Sequence, residues 1–190
     1  MSVVWLNGPV VAGKSTLAYS LRALVHPISA VALLDEDAVK QAVSDATQEP
    51  SDDDAAAVGG LCGMALVLAQ QGFVVVVSAS DTAASVLAWN RANLPGYREI
   101  YLRASPDTIK HRNRRRRPND PPVPPQQSRP RPAVLRPNAA PTPDPDLTID
   151  MDNPEPPELI AFRVAVLIPE YVVAAAGAAG YDPHRLRRGA

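Results

Sequence analysis

A glycine-rich stretch near the start of the chain has the residue types and spacing of a phosphate-binding loop. It reads GPVVAGKS from Gly8 to Ser15 and fits the pattern G-x-x-x-x-G-K-[ST]. In this pattern, backbone N–H groups and the positive end of the following helix face a polyphosphate. Lys14 is expected to reach the β- and γ-phosphates, and the Ser15 hydroxyl is expected to ligate Mg²⁺. The stretch therefore predicts binding of a nucleoside triphosphate, with an ordinary glycine turn as the alternative.

Two carboxylates follow the second predicted strand, Val31–Leu34. Asp35 and Asp37 lie where open α/β sheets bind ligands, at the carboxyl edge of the strands. Either carboxylate could accept a hydrogen bond from a substrate hydroxyl or hold a water molecule on Mg²⁺. Alternatively, both cap the following helix. We favour a catalytic role for Asp35 over one for Asp37, because the chemistry needs only one such group.

An arginine cluster precedes a proline-rich segment. The stretch from Arg112 to Arg117 contains five arginines, and 14 of the 21 prolines lie between Pro118 and Pro157. In a protein with a phosphate-binding loop, this arrangement favours a lid that closes over the phosphates, since arginine is the preferred cation for phosphate contacts. We predict a mobile lid at about 112–146. A solvated charge cluster, a nucleic-acid patch and an SH3-type proline ligand are the alternatives.

The rest of the chain predicts the elements that position these residues. Strand-like apolar runs alternate with helical periods, which is typical of a parallel α/β sheet. The predicted strands are Val3–Leu6, Val31–Leu34, Phe73–Val77, Arg98–Leu102 and Leu147–Asp150. The predicted helices follow the glycine loop, cover Asp37–Ser44, Asp53–Gln71 and Thr82–Leu94, and begin at Pro106 and near Pro156. The β-branched run at 73–77 is expected to be central. The fold class is therefore predicted as three-layer α/β, with a parallel sheet of about five strands flanked by helices.

Composition limits the remaining possibilities. The 190 residues suit a single domain covering 1–190, with a frayed tail at about 185–190. A net charge of -1 argues against generic attraction to nucleic acid or membrane. The chain shows neither a signal-peptide pattern nor an apolar run of the roughly 18 residues that a membrane span needs. The single cysteine, Cys62, is expected to be a buried packing residue. We expect a cytoplasmic protein.

Several motifs together resemble adenylylsulfate kinase. They are Trp5-Leu6-Asn7-Gly8, the loop through Thr16, Leu33-Leu34-Asp35-x-Asp37, Gly72-Phe73-Val74-Val75 and Glu99-Ile100-Tyr101-Leu102. The resemblance extends from Val3 to about Leu167 and implies transfer of the γ-phosphoryl of ATP to the 3′-hydroxyl of adenylylsulfate. It implies nucleotide or Mg²⁺ contacts for Gly13, Lys14, Ser15 and Thr16, to which we add Gly8 and Ala12 of the same loop. It also makes Arg112 the lid arginine, and it implies a possible homodimer.

The departures from this family are concentrated on the acceptor side. The family's L-D-G-D-x-x-R is L-D-E-D-A-V-K here, from Leu34 to Lys40. An arginine of its D-R-x-x-N-I-R-R segment is replaced by Asp54. This exchange converts attraction for an anion into repulsion, at about 4 kcal/mol each way for charges roughly 4 Å apart at an effective dielectric near 20. A neutral or cationic hydroxylated small molecule is therefore the expected acceptor. The predicted substrate-binding residues are Asp37, Asp54, Ser80 and Asp81. For Asp54, the first turn of a helix is an alternative role.

The leading hypothesis is an ATP- and Mg²⁺-dependent small-molecule kinase with an alcohol group as acceptor. Its predicted catalytic residues are Lys14, Asp35 and Arg112, and its predicted metal ligands are Ser15 and Asp35. True adenylylsulfate kinase activity is the first alternative. A catalytically weak nucleotide-binding module is the second.

Overall fold

The structure is a computed structural model that describes residues 1–47, 54–115 and 144–178. The strands are β1 (Val3–Asn7), β2 (Val31–Asp35), β3 (Val74–Ser78), β4 (Arg98–Arg103) and β5 (Leu147–Asp150). The helices are α1 (Lys14–Val25), α2 (Glu36–Thr47), α3 (Asp54–Gln70), α4 (Ala84–Asn93), α5 (Pro106–Arg115), α6 (Pro157–Ala165) and α7 (Pro169–Ala178). Most of the predicted lid, the predicted tail and the side chain of Asp54 lie outside the described residues.

The five described strands form one parallel sheet in the order β2-β3-β1-β4-β5. This order confirms the predicted three-layer α/β class. It corrects one detail, because β1 rather than the valine-rich β3 is the central strand. The valines of β3 indicate burial on both faces, which any interior strand requires, so composition alone did not distinguish the two positions.

Alternate residues of β1 supply the two halves of the core. Val4 and Leu6 face the layer of α1 and α6, whereas Val3 and Trp5 face the layer of α3 and α4. All four side chains are fully buried. Since β1 is anchored on both faces and paired on both edges, its carboxyl end is a rigid base for the loop that follows.

Most predicted boundaries lie within a few residues of the observed ones. Gly72 ends α3 with φ +99°, as its predicted capping role requires. Ser105 caps α5, with its Oγ accepting from the Thr108 N–H at 3.2 Å. The last predicted helix ends before Pro169, as expected, whereas α7, which begins at Pro169, was not predicted. Cys62 is buried, and burial raises the pKa of its thiol.

Within the described ranges, no helix by itself combines the length and apolar character that crossing a bilayer requires. Helices α6 and α7 reach those values only as a pair, and the chain bends by 93° between them.

Candidate active site

The glycine loop connects β1 to α1 through three residues with positive φ, of which Val11 at +58° is not a glycine. Gly8 has φ +139° and Gly13 has φ +107°. A Cβ atom on Gly8 would lie 2.4 Å from the carbonyl oxygen of Leu102 in β4. The loop therefore packs directly against the neighbouring strand, and residue 8 must be glycine for it to do so.

The N-terminus of α1 is open to an anion. Its N-cap, Gly13, makes no side-chain capping hydrogen bond, and the first turn of the helix contains no acidic residue. The first N–H groups of a helix lack partners within the helix and carry the positive end of its dipole. A phosphate group is the ligand that this arrangement fits.

Lys14 is buried and turned back over the loop. Its Nζ donates to the carbonyl oxygens of Gly8 at 2.9 Å and Pro9 at 2.8 Å. Burial lowers the pKa of Lys14 to about 8, and nearby carboxylates, Asp81 first, oppose that shift. The ammonium group thus lies inside the loop, among carboxylates from the ends of β2 and β3. Its predicted contact with the β- and γ-phosphates remains a prediction.

Ser15 and Asp35 meet across the ends of β1 and β2. The Ser15 hydroxyl donates to Asp35 Oδ2 at 2.8 Å, and Asp35 Oδ1 accepts from the Ala38 N–H at 3.3 Å. Asp35 therefore caps α2 and faces the phosphate-binding loop at the same time. The two alternatives that the sequence offered for this residue are compatible.

The Ser15–Asp35 pair fits magnesium in type and number of ligands. A hydroxyl and a carboxylate are the hard oxygen ligands that Mg²⁺ takes, usually one or two from the protein, with phosphates and water completing the shell. Across the described parts of the chain, three or more His, Cys, Asp or Glu side chains nowhere gather to hold a metal. This pair is therefore the place in the described structure where a nucleotide-bound Mg²⁺ fits best.

A recess of about 190 Å³ lies beside this pair, between α1 and α2. Ser15, Asp35 and Ser78 contribute its polar lining, and the rest is largely apolar. The apolar lining comes from Ala18, Leu33, Leu34, Ala38, Val39, Ala42 and Val76, with Tyr19 also in contact. The polar groups of the recess thus lie at the carboxyl ends of β2 and β3 and at the start of α1.

Glu36 is a site residue that the sequence reasoning missed. It is buried, with Oε1 accepting from Lys40 Nζ at 2.5 Å and Oε2 accepting from the Ser80 N–H at 2.7 Å. The spacing of Glu36 and Lys40, four residues apart on a helix, is a signal that predicts their pairing. The bond to Ser80 crosses 44 residues, and no local pattern predicts it.

The loop after β3 is fixed at every residue from Ser80 to Thr82. The Asp81 N–H donates to Gly8 O at 3.3 Å, and the Thr82 N–H donates to Asn7 Oδ1 at 3.1 Å. Asp81 adopts φ +46°, in the left-handed region. Non-glycine residues in this region cost free energy, and such conformations cluster at ligand sites held by the surrounding structure. The fixed loop places Asp81 next to Lys14, its strongest carboxylate neighbour.

The remaining predicted residues differ in their exposure and in their positions in the helices and the loop. Asp37 is exposed in the first turn of α2, and partial desolvation together with Asp35 and Glu36 raises the pKa of its carboxyl group. Ala12 is buried in the loop and Thr16 is exposed on α1. Asp54 begins α3.

Arg112 contacts the loop itself. Its Nη1 donates to Ala12 O at 2.8 Å, and its Nη2 donates to Met151 O at 2.6 Å. The guanidinium group therefore joins α5 to the phosphate-binding loop and to the end of β5. Its predicted contact with phosphate remains a prediction.

Comparison with known proteins identifies the family. The family model described as adenylylsulphate kinase matches residues 1–116. The chain belongs to the adenylylsulfate kinase family. An adenylyl-sulfate kinase of Deinococcus deserti is 37% identical over 103 residues, which cover 54% of this chain and 57% of that protein. The match thus spans little more than half the length of that relative.

Solved structures share the fold. An unliganded sugar kinase from Janibacter has 18% identity and a TM-score of 0.64, with 90% of this chain and 98% of that chain covered. The Mycobacterium tuberculosis APS kinase in complex with AMPPNP and APS has 22% identity and a TM-score of 0.63, with 88% and 96% covered. At these identities the likeness establishes the P-loop kinase fold, and it does not indicate which substrate this chain uses.

Proposed function

We propose that this protein is an ATP- and Mg²⁺-dependent kinase that phosphorylates a hydroxyl group of a small molecule. The Ser15–Asp35 hydrogen bond at the mouth of the glycine loop is the observation that carries the proposal. It joins a hydroxyl and a carboxylate beside a buried lysine and an uncapped helix N-terminus. These are the parts that phosphoryl transfer from a nucleoside triphosphate needs.

The residues of the site divide into roles. Lys14 would bind the phosphate oxygens of the transferred group, and Ser15 with Asp35 would hold Mg²⁺. Bound Mg²⁺ supplies positive charge that neutralises the phosphate oxygens. Because Asp35 is hydrogen-bonded to Ser15, we favour Mg²⁺ binding as its role over orienting the acceptor hydroxyl. Asp37 and Asp81 are the proposed acceptor-side carboxylates.

The charges on the acceptor side favour a neutral or cationic acceptor. Asp37 and Asp81 are negative, and the cation closest to them in sequence, Lys40, is already paired with Glu36. An anionic group beside the reacting hydroxyl would meet like charge. Phosphorylation of adenylylsulfate is the second candidate, because the family match favours it.

Calorimetry and an acceptor panel test the proposal together. We expect Mg²⁺-dependent ATP binding and phosphoryl transfer to a member of a panel containing sorbitol, glucosamine, gluconate, nucleosides and adenylylsulfate. Lys14→Met, which removes the charge and keeps most of the length of the side chain, should lower kcat by about 100- to 1,000-fold, the usual effect of removing one such electrostatic contact. Wild-type turnover in Lys14→Met would contradict the proposal, and so would ATP binding that Mg²⁺ leaves unchanged.

The broader expectations from the sequence are also proposals. They are a single kinase domain over 1–190, a homodimer, a cytoplasmic location, and a small molecule rather than nucleic acid or membrane as partner. Light scattering of the full chain tests the dimer directly.

A further inference from the structure

We infer that Glu36 is the positioning residue of the acceptor site, and that it sets the preference of that site for acceptors without an anionic group. Its carboxylate fixes the loop that carries Asp81 and holds the Lys40 ammonium in a buried ion pair. This inference rests on the proposed kinase function, and it names the acceptor class of the same site.

The two oxygens of Glu36 have different partners. Oε2 accepts from the Ser80 N–H at 2.7 Å, so the first turn of α2 is bonded to the loop that follows β3. Oε1 accepts from Lys40 Nζ one turn further along α2. The side chain of Glu36 is 11% exposed and that of Lys40 is 10% exposed. A glutamate this buried is retained only with good partners, and here each oxygen has one.

The bond to Ser80 determines where Asp81 lies. The amides at 80, 81 and 82 donate to Glu36, Gly8 and Asn7, which belong to three different segments. These contacts hold Asp81 in its left-handed conformation. Glu36 supplies the only side-chain carboxylate among these three acceptors. Without it, the Ser80 end of the loop loses its partner, and the strain at Asp81 can relax.

The bond to Lys40 determines which charges an acceptor meets. Lys40 occupies the position of the arginine in the motif L-D-G-D-x-x-R, and Glu36 occupies the position of its glycine. The two residues that differ from the family motif, Glu36 and Lys40, thus form an ion pair with each other. The charge of Lys40 is therefore offset by Glu36, while Asp37 and Asp81 add negative charge at the same edge of the sheet.

Two variants separate the two effects. In Glu36→Gln the side-chain amide oxygen can still accept from Ser80, but the charge that holds Lys40 is lost. We expect the ratio of kcat/KM for gluconate to kcat/KM for sorbitol, a pair that differs by one carboxylate, to rise about tenfold. In Glu36→Ala both partners are lost, and we expect the KM for the preferred acceptor to rise at least about tenfold. The KM for ATP should change less than about twofold in both variants.

A double variant and a surface control complete the design. Glu36→Gln combined with Lys40→Met should abolish the gain for gluconate, because the Lys40 charge that Glu36 no longer offsets is its source. Lys40→Met alone, which leaves the Ser80 bond of Glu36 in place, should leave the gluconate-to-sorbitol ratio unchanged, and a lower ratio in this variant would overturn the inference even if the Glu36 variants do not fold. Asp45→Asn, which changes an exposed carboxylate paired with Gln41 on the same helix, should leave all parameters unchanged.

The outcomes distinguish the two proposals. If the wild-type protein binds ATP with Mg²⁺ and transfers phosphate to no panel member, the proposed function fails, and this inference fails with it. If the wild-type protein is active and both Glu36 variants keep its acceptor KM and its selectivity, only the inference fails. A rise in the KM for ATP as large as that for the acceptor would also overturn it, because Glu36 would then have a general structural role.

Discussion

The nucleotide side and the acceptor side of the site are built by different means. On the nucleotide side, backbone conformation forms the site, with Gly8, Val11 and Gly13 at positive φ in the loop and an uncapped helix N-terminus beside them. On the acceptor side, side chains form the site through their hydrogen bonds. Glu36 accepts from Lys40 and from the Ser80 N–H, and Thr82 accepts from Trp5. The comparison teaches that Glu36 and Lys40 depart from the family motif as a bonded pair, while the glycine loop keeps its pattern.

The largest expected effect separates the two sides through the metal. Ser15→Ala and Asp35→Asn should each raise the Mg²⁺ concentration for half-maximal activity by about 10- to 100-fold, as losing a metal-site partner commonly does. Their effects should be less than additive, because the two side chains form one bonded pair. The KM for the acceptor should stay nearly constant. Titration of activity with Mg²⁺ checks this, with Asp45→Asn as control. A change in acceptor KM alone would contradict the division between the two sides.

A smaller effect is expected where the two sides are joined. Trp5 Nε1 donates to Thr82 Oγ1 at 3.1 Å in the buried interior. Thr82→Val keeps the shape of the side chain and leaves the indole N–H without that partner, which should lower the free energy of unfolding by about 1–2 kcal/mol. Urea denaturation measures this change in the free energy of unfolding. Thr47→Val is the control, because it removes an exposed hydroxyl that donates to Val43 O within α2, where water can replace the bond, and it should stay within about 0.5 kcal/mol of wild type. Equal losses in the two variants would argue against the bond.

The smallest expected effect concerns the left-handed conformation of residue 81. Asp81→Ala and Asp81→Gly both remove the carboxylate beside Lys14, but only glycine tolerates this conformation well. We therefore expect the free energy of unfolding to be higher in Asp81→Gly than in Asp81→Ala, by about 0.5 kcal/mol after the extra chain entropy of glycine is subtracted. Both variants should raise the acceptor KM, because both lack a proposed acceptor-side carboxylate. Thermal denaturation and steady-state kinetics measure the two effects, and an Asp81→Ala variant as stable as Asp81→Gly would show that residue 81 is not strained.

Much of the fold and the nucleotide side could be predicted from the sequence, because their signals are local. The pattern from Gly8 to Ser15 predicts its own strand, turn and helix, and the position of Asp35 after a parallel strand predicts that it lies at the same edge as the loop. The five strands followed from alternating apolar runs. Their order did not, since burial on both faces is shared by β1 and β3.

The acceptor side and Arg112 could be predicted less well, because their partners are distant in sequence. Glu36 precedes the predicted start of α2 at Asp37, and its bond to Ser80 exists only once β2 and β3 are paired. Arg112 was expected to face phosphate as part of a lid. Its bonds to the carbonyl groups of Ala12 and Met151 depend on how α5 packs against the loop and β5.

The close approach of Gly8 to Leu102 has a consequence for engineering this enzyme. Strand β4 contributes no predicted catalytic or binding side chain. A library of variants designed to alter specificity would therefore vary the residues of this strand freely. Its backbone nevertheless forms the wall against which the loop rests. Insertions or proline substitutions near the end of β4 should therefore reduce activity as much as changes in the glycine loop itself.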